Sequence, residues 1–269
     1  MSPGRRARLD SELVRRGLAS SRAEAQRLIE EGRVAVRGAS ASKAAALVAP
    51  GDAVSVAWPA TRYASRGGVK LAGALDELQV TVQGRECLDA GASTGGFTDV
   101  LLRRGATRVV AVDVGYGQLA WALRTDPRVV VLERTNVRTL APDGVPPPPP
   151  GLVVADLSFI SLTLVLGALR AVATPDADFV LLVKPQFEAG RGRVGKGGVV
   201  REPDAWAEAM RRVVDKAAEL DLGLVTAVPS MLPGPAGNVE FFVHLRVGGT
   251  GDPLPAIRAA IARAPARVE

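Results

Sequence analysis

From residue 86 onward the chain alternates short, almost unbroken apolar runs with helix-forming stretches: "ECLDAGA", "RVVAVDVG", "VVVLERTN", "LVVADLSF", "FVLLVKP", "LVTAV" and "VEFFVHLRV". A strand without polar alternation has no face to give to water, so it belongs in a sheet covered on both sides. Helical connections between such strands favour parallel pairing. The expected fold class is α/β, with a mostly parallel seven-stranded sheet and helices on both faces. In that architecture ligands bind beyond the carboxyl ends of the strands, near the point where strand order reverses. With 269 residues, 47% of them hydrophobic, the chain can bury one large core and a small second one. "PPPPP" (146–150) reads as a stiff surface loop without a function.

"DAGASTGGFTD" (89–99) follows the first apolar run and opens a helix. A phosphate-binding loop closes with Gly-Lys-Ser/Thr, but Gly95-Gly96 is followed here by Phe97. The glycines Gly91, Gly95 and Gly96 also miss the dinucleotide spacing. Asp89, just ahead of them, would repel a pyrophosphate and suits a ligand with an amino group. S-adenosylmethionine carries an ammonium and a sulfonium, and its ribose needs an acid at the end of the next strand. Asp113 stands there, 22 residues after Gly91, and Asn136 at the end of the third strand is placed to flank the adenine. The cofactor is expected to be S-adenosylmethionine, held by Asp89, Gly91, Ser93, Gly95, Phe97, Asp113, Val114, Asn136 and Asp156; no metal ligand set is expected.

The acceptor of the methyl group is constrained by what the chain lacks. "ADLSF" has no proline of the kind found in base-amine methylation, and the single cysteine, Cys87, lies within a strand ahead of the loop, unsuited to attack a pyrimidine ring. A ribose 2′-hydroxyl is a weak acid and needs a group to take or stabilise its proton. Asp156 and Lys184, at the ends of the fourth and fifth strands, project to the cofactor edge, where an enclosed lysine can serve as a base. Either one alone is equally a solvated strand end. His244 sits mid-strand and reads as structural. "GRGRVGKGGVV" (190–200), with Arg191, Arg193 and Lys196, is either a loop closing over the site or a surface loop.

The net charge of +6 is confined to the first quarter: residues 1–66 hold 12 Lys/Arg against 6 Asp/Glu, and the remainder has 22 of each. Such asymmetry points to a module that meets a polyanion. In "RLDSELVRRGLASSRAEAQRLIEEGRVAVRG" the pattern predicts a helix from about Asp10 to Arg16, a turn at Gly17, and a second helix after Ser21. Ser21 and Glu24 are spaced as a capping box. The second helix buries Ala25, Leu28 and Ile29, leaves Arg22 and Gln26 outside, and ends at Gly32. "RVAV" reads as a strand and "LVAPGDAVSVAW" as a turn between two more, together a small hairpin sheet. Residues 8–58 resemble the RNA-binding domain named after a small-subunit ribosomal protein, apart from Arg37-Gly38 where that family often has Asn-Gly. The expected RNA contacts are Arg6, Arg8, Arg22, Lys43, Arg66 and Arg134.

"SRGGVKL", "DAGASTGGFTD", "DVGYGQLAW", "RTN", "VVADLSFISL", "LVKPQFE" and "GNVEFF" together resemble the hemolysin-A-type ribosomal RNA methyltransferases, relatives of the FtsJ-like ribose methyltransferases. The resemblance runs from about residue 5 to residue 247. It implies a Rossmann-like methyltransferase domain, 2′-O-methylation of cytidines in ribosomal RNA, and a catalytic set at Lys70, Asp156, Lys184 and Glu240. The tail "PLPAIRAAIARAPARVE" is similar to members that modify both subunits. The expected domains are 1–60 for RNA binding, 61–68 as linker, 69–250 for methyl transfer and 251–269 as a helical tail. A catalytically inactive ribosome-assembly factor and a nucleotide-dependent oxidoreductase are the competing readings. No signal peptide or membrane span is read, and a pore-forming role lacks an amphipathic segment. The expected partners are ribosomal RNA and ribosomal subunits, with no membrane, in a cytoplasmic monomer.

Overall fold

The computed structural model describes residues 6–16, 18–19, 22–30, 32–56, 63–190 and 193–264. The predicted turn at Gly17, the Ser21 cap and Arg191 lie outside the described residues. The chain divides into two units, Met1–Arg62 and Tyr63–Glu269.

In the first unit, β1 (Ala7–Arg8) leads into α1 (Leu9–Arg15), followed by α2 (Arg22–Glu30), β2 (Val34–Val36), β3 (Ala39–Ser40), β4 (Leu47–Val48) and β5 (Val54–Val56). Leu9 and Leu13 from α1 pack with Ala25, Leu28 and Ile29 from α2, as the helical spacing requires. Arg37 and Gly38, at φ 52° and 81°, form the two-residue turn whose handedness matches the twist of a hairpin. The predicted hairpin over residues 47–56 does not form. β4 pairs with β1, and β5 pairs with β2, giving a two-stranded and a three-stranded sheet. The turn between β4 and β5 closes through Asp52 N to Ala49 O, and the Arg16 guanidinium donates to the Ala49, Pro50 and Asp52 carbonyls.

The second unit contains α3 (Arg66–Glu77), β6 (Glu86–Ala90), α4 (Gly96–Arg103), β7 (Arg108–Val112), α5 (Trp121–Arg124), β8 (Val129–Leu132), β9 (Leu152–Ala155), α6 (Leu166–Val172), β10 (Asp178–Val183), α7 (Pro185–Glu188), α8 (Pro203–Ala218), β11 (Leu222–Pro229), β12 (Phe241–Val247) and α9 (Pro253–Ala262). Residues 66–68, predicted as linker, are the first turn of α3, because the Ser65 hydroxyl accepts from Gly67 N and caps the helix. The seven strands run in the order β11-β12-β10-β9-β6-β7-β8, all parallel except β12, which is antiparallel to both neighbours. Chain order reverses at β6, so the binding edge lies between β6 and β9. One face packs Leu88, Val153 and Phe179 against α6, α8 and α9, and the other packs Cys87, Val109 and Val154 against α3 and α4. α3 and α4 approach so closely that a Cβ on Gly68 would lie 2.9 Å from the Gly96 carbonyl. Arg108 donates to the carbonyls of Pro146, Pro147 and Pro148 and anchors the proline run.

At the edge of the sheet away from the binding crevice, Asp178 accepts from Arg85 at 2.7 Å and pairs with His244 Nε2 at 2.8 Å. Burial raises the Asp178 carboxyl, but the bonds from His244 and Arg85 outweigh it and hold it at about 2. The ionised form therefore stabilises the fold above the ordinary value of 3.8, and that contribution is lost as pH falls from there towards 2. Asp178→Asn is expected to lower the unfolding free energy at pH 7 by about 2 kcal/mol and to flatten the decline in acid. Denaturant melts with parallel acid limbs for both proteins contradict this assignment.

Candidate active site

The glycine loop leaves β6 at Gly91, where φ is +86° and a Cβ would lie 2.6 Å from the Asp156 carbonyl oxygen. Only glycine meets both conditions. Gly91 N and Ala92 N both donate to Val112 O, stitching the loop to the end of β7. Asp113 completes the join: Oδ2 accepts from Ser93 N at 2.8 Å and Oδ1 from Gly115 N at 2.6 Å. Between these loops lies a small recess, open to solvent, lined by Ser93, Asp113, Gln118, Glu133 and the apolar Leu119 and Val131. Its described lining holds carboxylates and no lysine or arginine. That donor set fits the ribose and cationic centre of S-adenosylmethionine and is unsuited to a pyrophosphate.

Several residues predicted to touch the cofactor lie outside the lining of this recess. Asp89 is fully buried: Oδ2 accepts from Thr98 Oγ1 at 2.7 Å, and Oδ1 has no partner. Burial pushes its carboxyl up to about 7, with Thr98 opposing and the charges of Asp156 and Asp113 assisting. It braces the loop from beneath. Phe97 is a core residue, packed 6.1 Å from the Phe242 ring, because the first turn of α4 faces the sheet. Val114 is exposed, outside the recess lining. Asn136 turns its Oδ1 to Arg138 N, capping a short 3-10 turn, and stays exposed.

The predicted catalytic residues assemble at one edge of the sheet. Val183 of β10 sits opposite Phe241 of β12, so Lys184 and Glu240, each one residue outward, face each other. Asp156 follows the next strand, β9, and Lys70 comes from α3, one turn after Gly67, where a Cβ would lie 3.5 Å from Asp156 Oδ2. They form two ion pairs: Lys70 Nζ to Glu240 Oε2 at 2.5 Å, and Lys184 Nζ to Asp156 Oδ1 at 2.6 Å. The first pair is closed off, with side chains 7% and 0% exposed, whereas Asp156 remains 23% exposed. Lys184 Nζ also donates to Ser158 Oγ at 2.9 Å.

Sequence reasoning missed three supports. Ser158 holds Lys184. Glu188, its carboxyl raised by burial, accepts from Ser161 Oγ and Leu162 N and fixes the segment after Asp156. Asn238 donates to Gly198 O and accepts from Val200 N, so residues 198–200 are tied to the segment that carries Glu240. Only the placement of Asn238 in "GNVEFF" hinted at this. The six predicted RNA contacts fall in both units. Arg6 and Lys43 are exposed, while Arg8 and Arg22 are ion-paired to Asp10. Arg66 opens α3, and Arg134 stacks 4.3 Å from the Tyr116 ring.

A doubly wound sheet with a glycine turn at its reversal point, an anionic recess and paired lysines and carboxylates beside it defines a methyltransferase with a small basic unit attached. The chain belongs to the FtsJ-like methyltransferase family, whose model matches residues 63–247, and carries an S4 domain at residues 7–54. It is 57% identical over 247 residues to the 16S/23S rRNA (cytidine-2′-O)-methyltransferase TlyA of Mycobacterium tuberculosis, covering 90% of each chain. It is 37% identical to Hemolysin A of Brachyspira hyodysenteriae, covering 88% of this chain and 98% of the relative. A solved structure of a hemolysin-type chain from Streptococcus thermophilus superposes with a TM-score of 0.79 at 36% identity, covering 96% of this chain and 95% of that one.

The Gly91 geometry separates backbone strain from displacement of the site. Gly84 has φ +76° with nothing within 4 Å of a Cβ, so Gly84→Ala is expected to cost only about 1 kcal/mol of strain. Gly91→Ala must also move Asp156, and is expected to cost about 3 kcal/mol and to lose methyl transfer. Equal losses in stability, with activity kept in both variants, contradict the close packing.

Proposed function

We propose that the chain transfers a methyl group from S-adenosylmethionine to the 2′-hydroxyl of cytidines in the ribosomal RNA of both subunits. The observation that carries this reading is the pair of lysine–carboxylate contacts beside the recess, Lys184–Asp156 and Lys70–Glu240. When bound, S-adenosylmethionine supplies an electrophilic methyl group whose sulfonium leaves as a neutral thioether. Asp113 holds the ribose hydroxyls of the cofactor, Asn136 borders its adenine, and Gly91 and Gly95 let the backbone come close. Asp89 keeps the loop in shape through Thr98.

Once its ammonium has released a proton to solvent, the Lys184 Nζ amine takes the proton of the 2′-hydroxyl, held in place by Asp156 and Ser158. Lys70 and Glu240 orient the acceptor ribose. The lone cysteine supports an oxygen acceptor over a ring carbon: Cys87 is buried and its thiol is pushed up to about 12, so it carries no thiolate to attack a base. RNA is gathered by Arg6, Arg8, Arg22 and Lys43 of the first unit, while Arg66 and Arg134 supply positive charge on the second. All four site residues come from one chain, so the site is complete without a second copy, in keeping with a monomer as the proposed state. An enzyme of ribosomal RNA acts in the cytoplasm; no helix among the described residues is long and apolar enough to cross a membrane.

Arginine keeps the charge of a lysine but cannot release its proton. Lys184→Arg and Lys184→Ala are both expected to slow single-turnover methylation by at least about 100-fold, with S-adenosylmethionine affinity unchanged. A fast arginine variant would make Lys184 a source of charge alone. Asp113→Ala is expected to weaken cofactor binding by about 1 to 3 kcal/mol in calorimetry. Unchanged affinity removes Asp113 from the cofactor site.

A further inference from the structure

The first unit keeps a carboxylate where a basic surface has no evident use for one. Asp10, the second residue of α1, is 0% exposed. Its Oδ1 accepts from Arg8 Nε at 3.1 Å, Ser11 N at 2.8 Å and Ser11 Oγ at 3.3 Å. Its Oδ2 accepts from Arg8 Nη2 at 2.9 Å, Arg22 Nη2 at 3.0 Å and Gln26 Nε2 at 3.2 Å. Arg22 and Gln26 lie one turn apart on α2, so one carboxylate joins the starts of both helices. The guanidiniums it holds stay open to solvent, with Arg8 45% and Arg22 58% exposed.

We infer that Asp10 is the positioning residue of a two-arginine phosphate site, in which Arg8 and Arg22 are held ready to grip one phosphodiester of the RNA. Both Nη2 atoms approach the same oxygen, so they are at most about 6 Å apart, within the span of one phosphate. Each planar fork spends part of its donors on Asp10 and presents the rest outward. Two free arginines would have to lose side-chain entropy on binding, and the buried carboxylate has already removed much of that freedom. The inference rests on the reading that this unit binds RNA.

Charge alone and prior organisation predict opposite results for Asp10→Asn. Removing a negative charge should tighten binding to a polyanion if Asp10 merely neutralises. If it positions the arginines, the full-length variant binds in vitro-transcribed large-subunit ribosomal RNA about tenfold more weakly, with a shallower salt dependence, while S-adenosylmethionine affinity is kept. A second variant, Arg8→Lys with Arg22→Lys, keeps the charge and loses the forks, and decides the matter should Asp10→Asn melt the unit. It is expected to bind about as weakly as Arg8→Ala with Arg22→Ala. Binding by Asp10→Asn or the double-lysine variant as tight as wild type, alongside a weakened double-alanine variant, overturns the role of Asp10 and leaves RNA binding in place. A double-alanine variant with unchanged affinity removes these arginines from the RNA surface, and the proposal with them.

Discussion

The site depends on strand β12 entering the sheet antiparallel to β10. In a wholly parallel sheet, the carboxyl edge receives only residues that follow strands. The reversal brings the residue that precedes β12, Glu240, to the same edge as Lys184, which follows β10. α3 then needs only one lysine aimed at that edge to close a pair with a residue 170 positions away. The parallel pairing of β6 with β9 does the rest, because it sets the turn at Gly91 directly against Asp156. The recess and the lysine–carboxylate pairs lie at the same edge because adjacent strands end in register.

The sheet was legible because its strands are buried on both faces and must be apolar along their whole length. The glycine loop was legible because its close approaches exclude side chains. What the sequence concealed depends on partners distant in the chain. Asp89 is a carboxylate ahead of a glycine loop, the type and place of a ligand contact, yet its burial is settled by Thr98 and by the strands on either side. Phe97 follows the glycines as a contact residue would, but helical phase turns it to Phe242. Gly67-Gly68 read as a break in the chain; they open a helix, and Gly68 has no Cβ because α4 passes at Gly96. A two-residue strand such as β1 has too few residues to show any period. The pairing of β4 with β1 in place of β5 joins residues about 40 positions apart, which no local pattern reveals.

The basic character of the first unit also follows from where its acids went. Asp10 and Glu12, both on α1, are buried beneath arginines, and the hydrogen bonds of Arg15 and Arg16 hold the Glu12 carboxyl down at about 2. Arg16 is drawn into the turn at residues 49–52, whereas Arg8, Arg15 and Arg22 stay open to solvent. Acids turned inward leave a surface richer in positive charge than the net count conveys.

The account stands on the atom that receives the methyl group. Incubating the purified chain with S-adenosylmethionine carrying a labelled methyl group and with ribosomal subunits, then digesting the RNA with alkali, reads that atom directly, because a 2′-O-methyl group protects the adjoining phosphodiester. The account predicts label in alkali-resistant dinucleotides whose first nucleoside is cytidine, and none with the Lys184→Ala variant. Label recovered in base-methylated mononucleotides, or no label from either subunit, contradicts it.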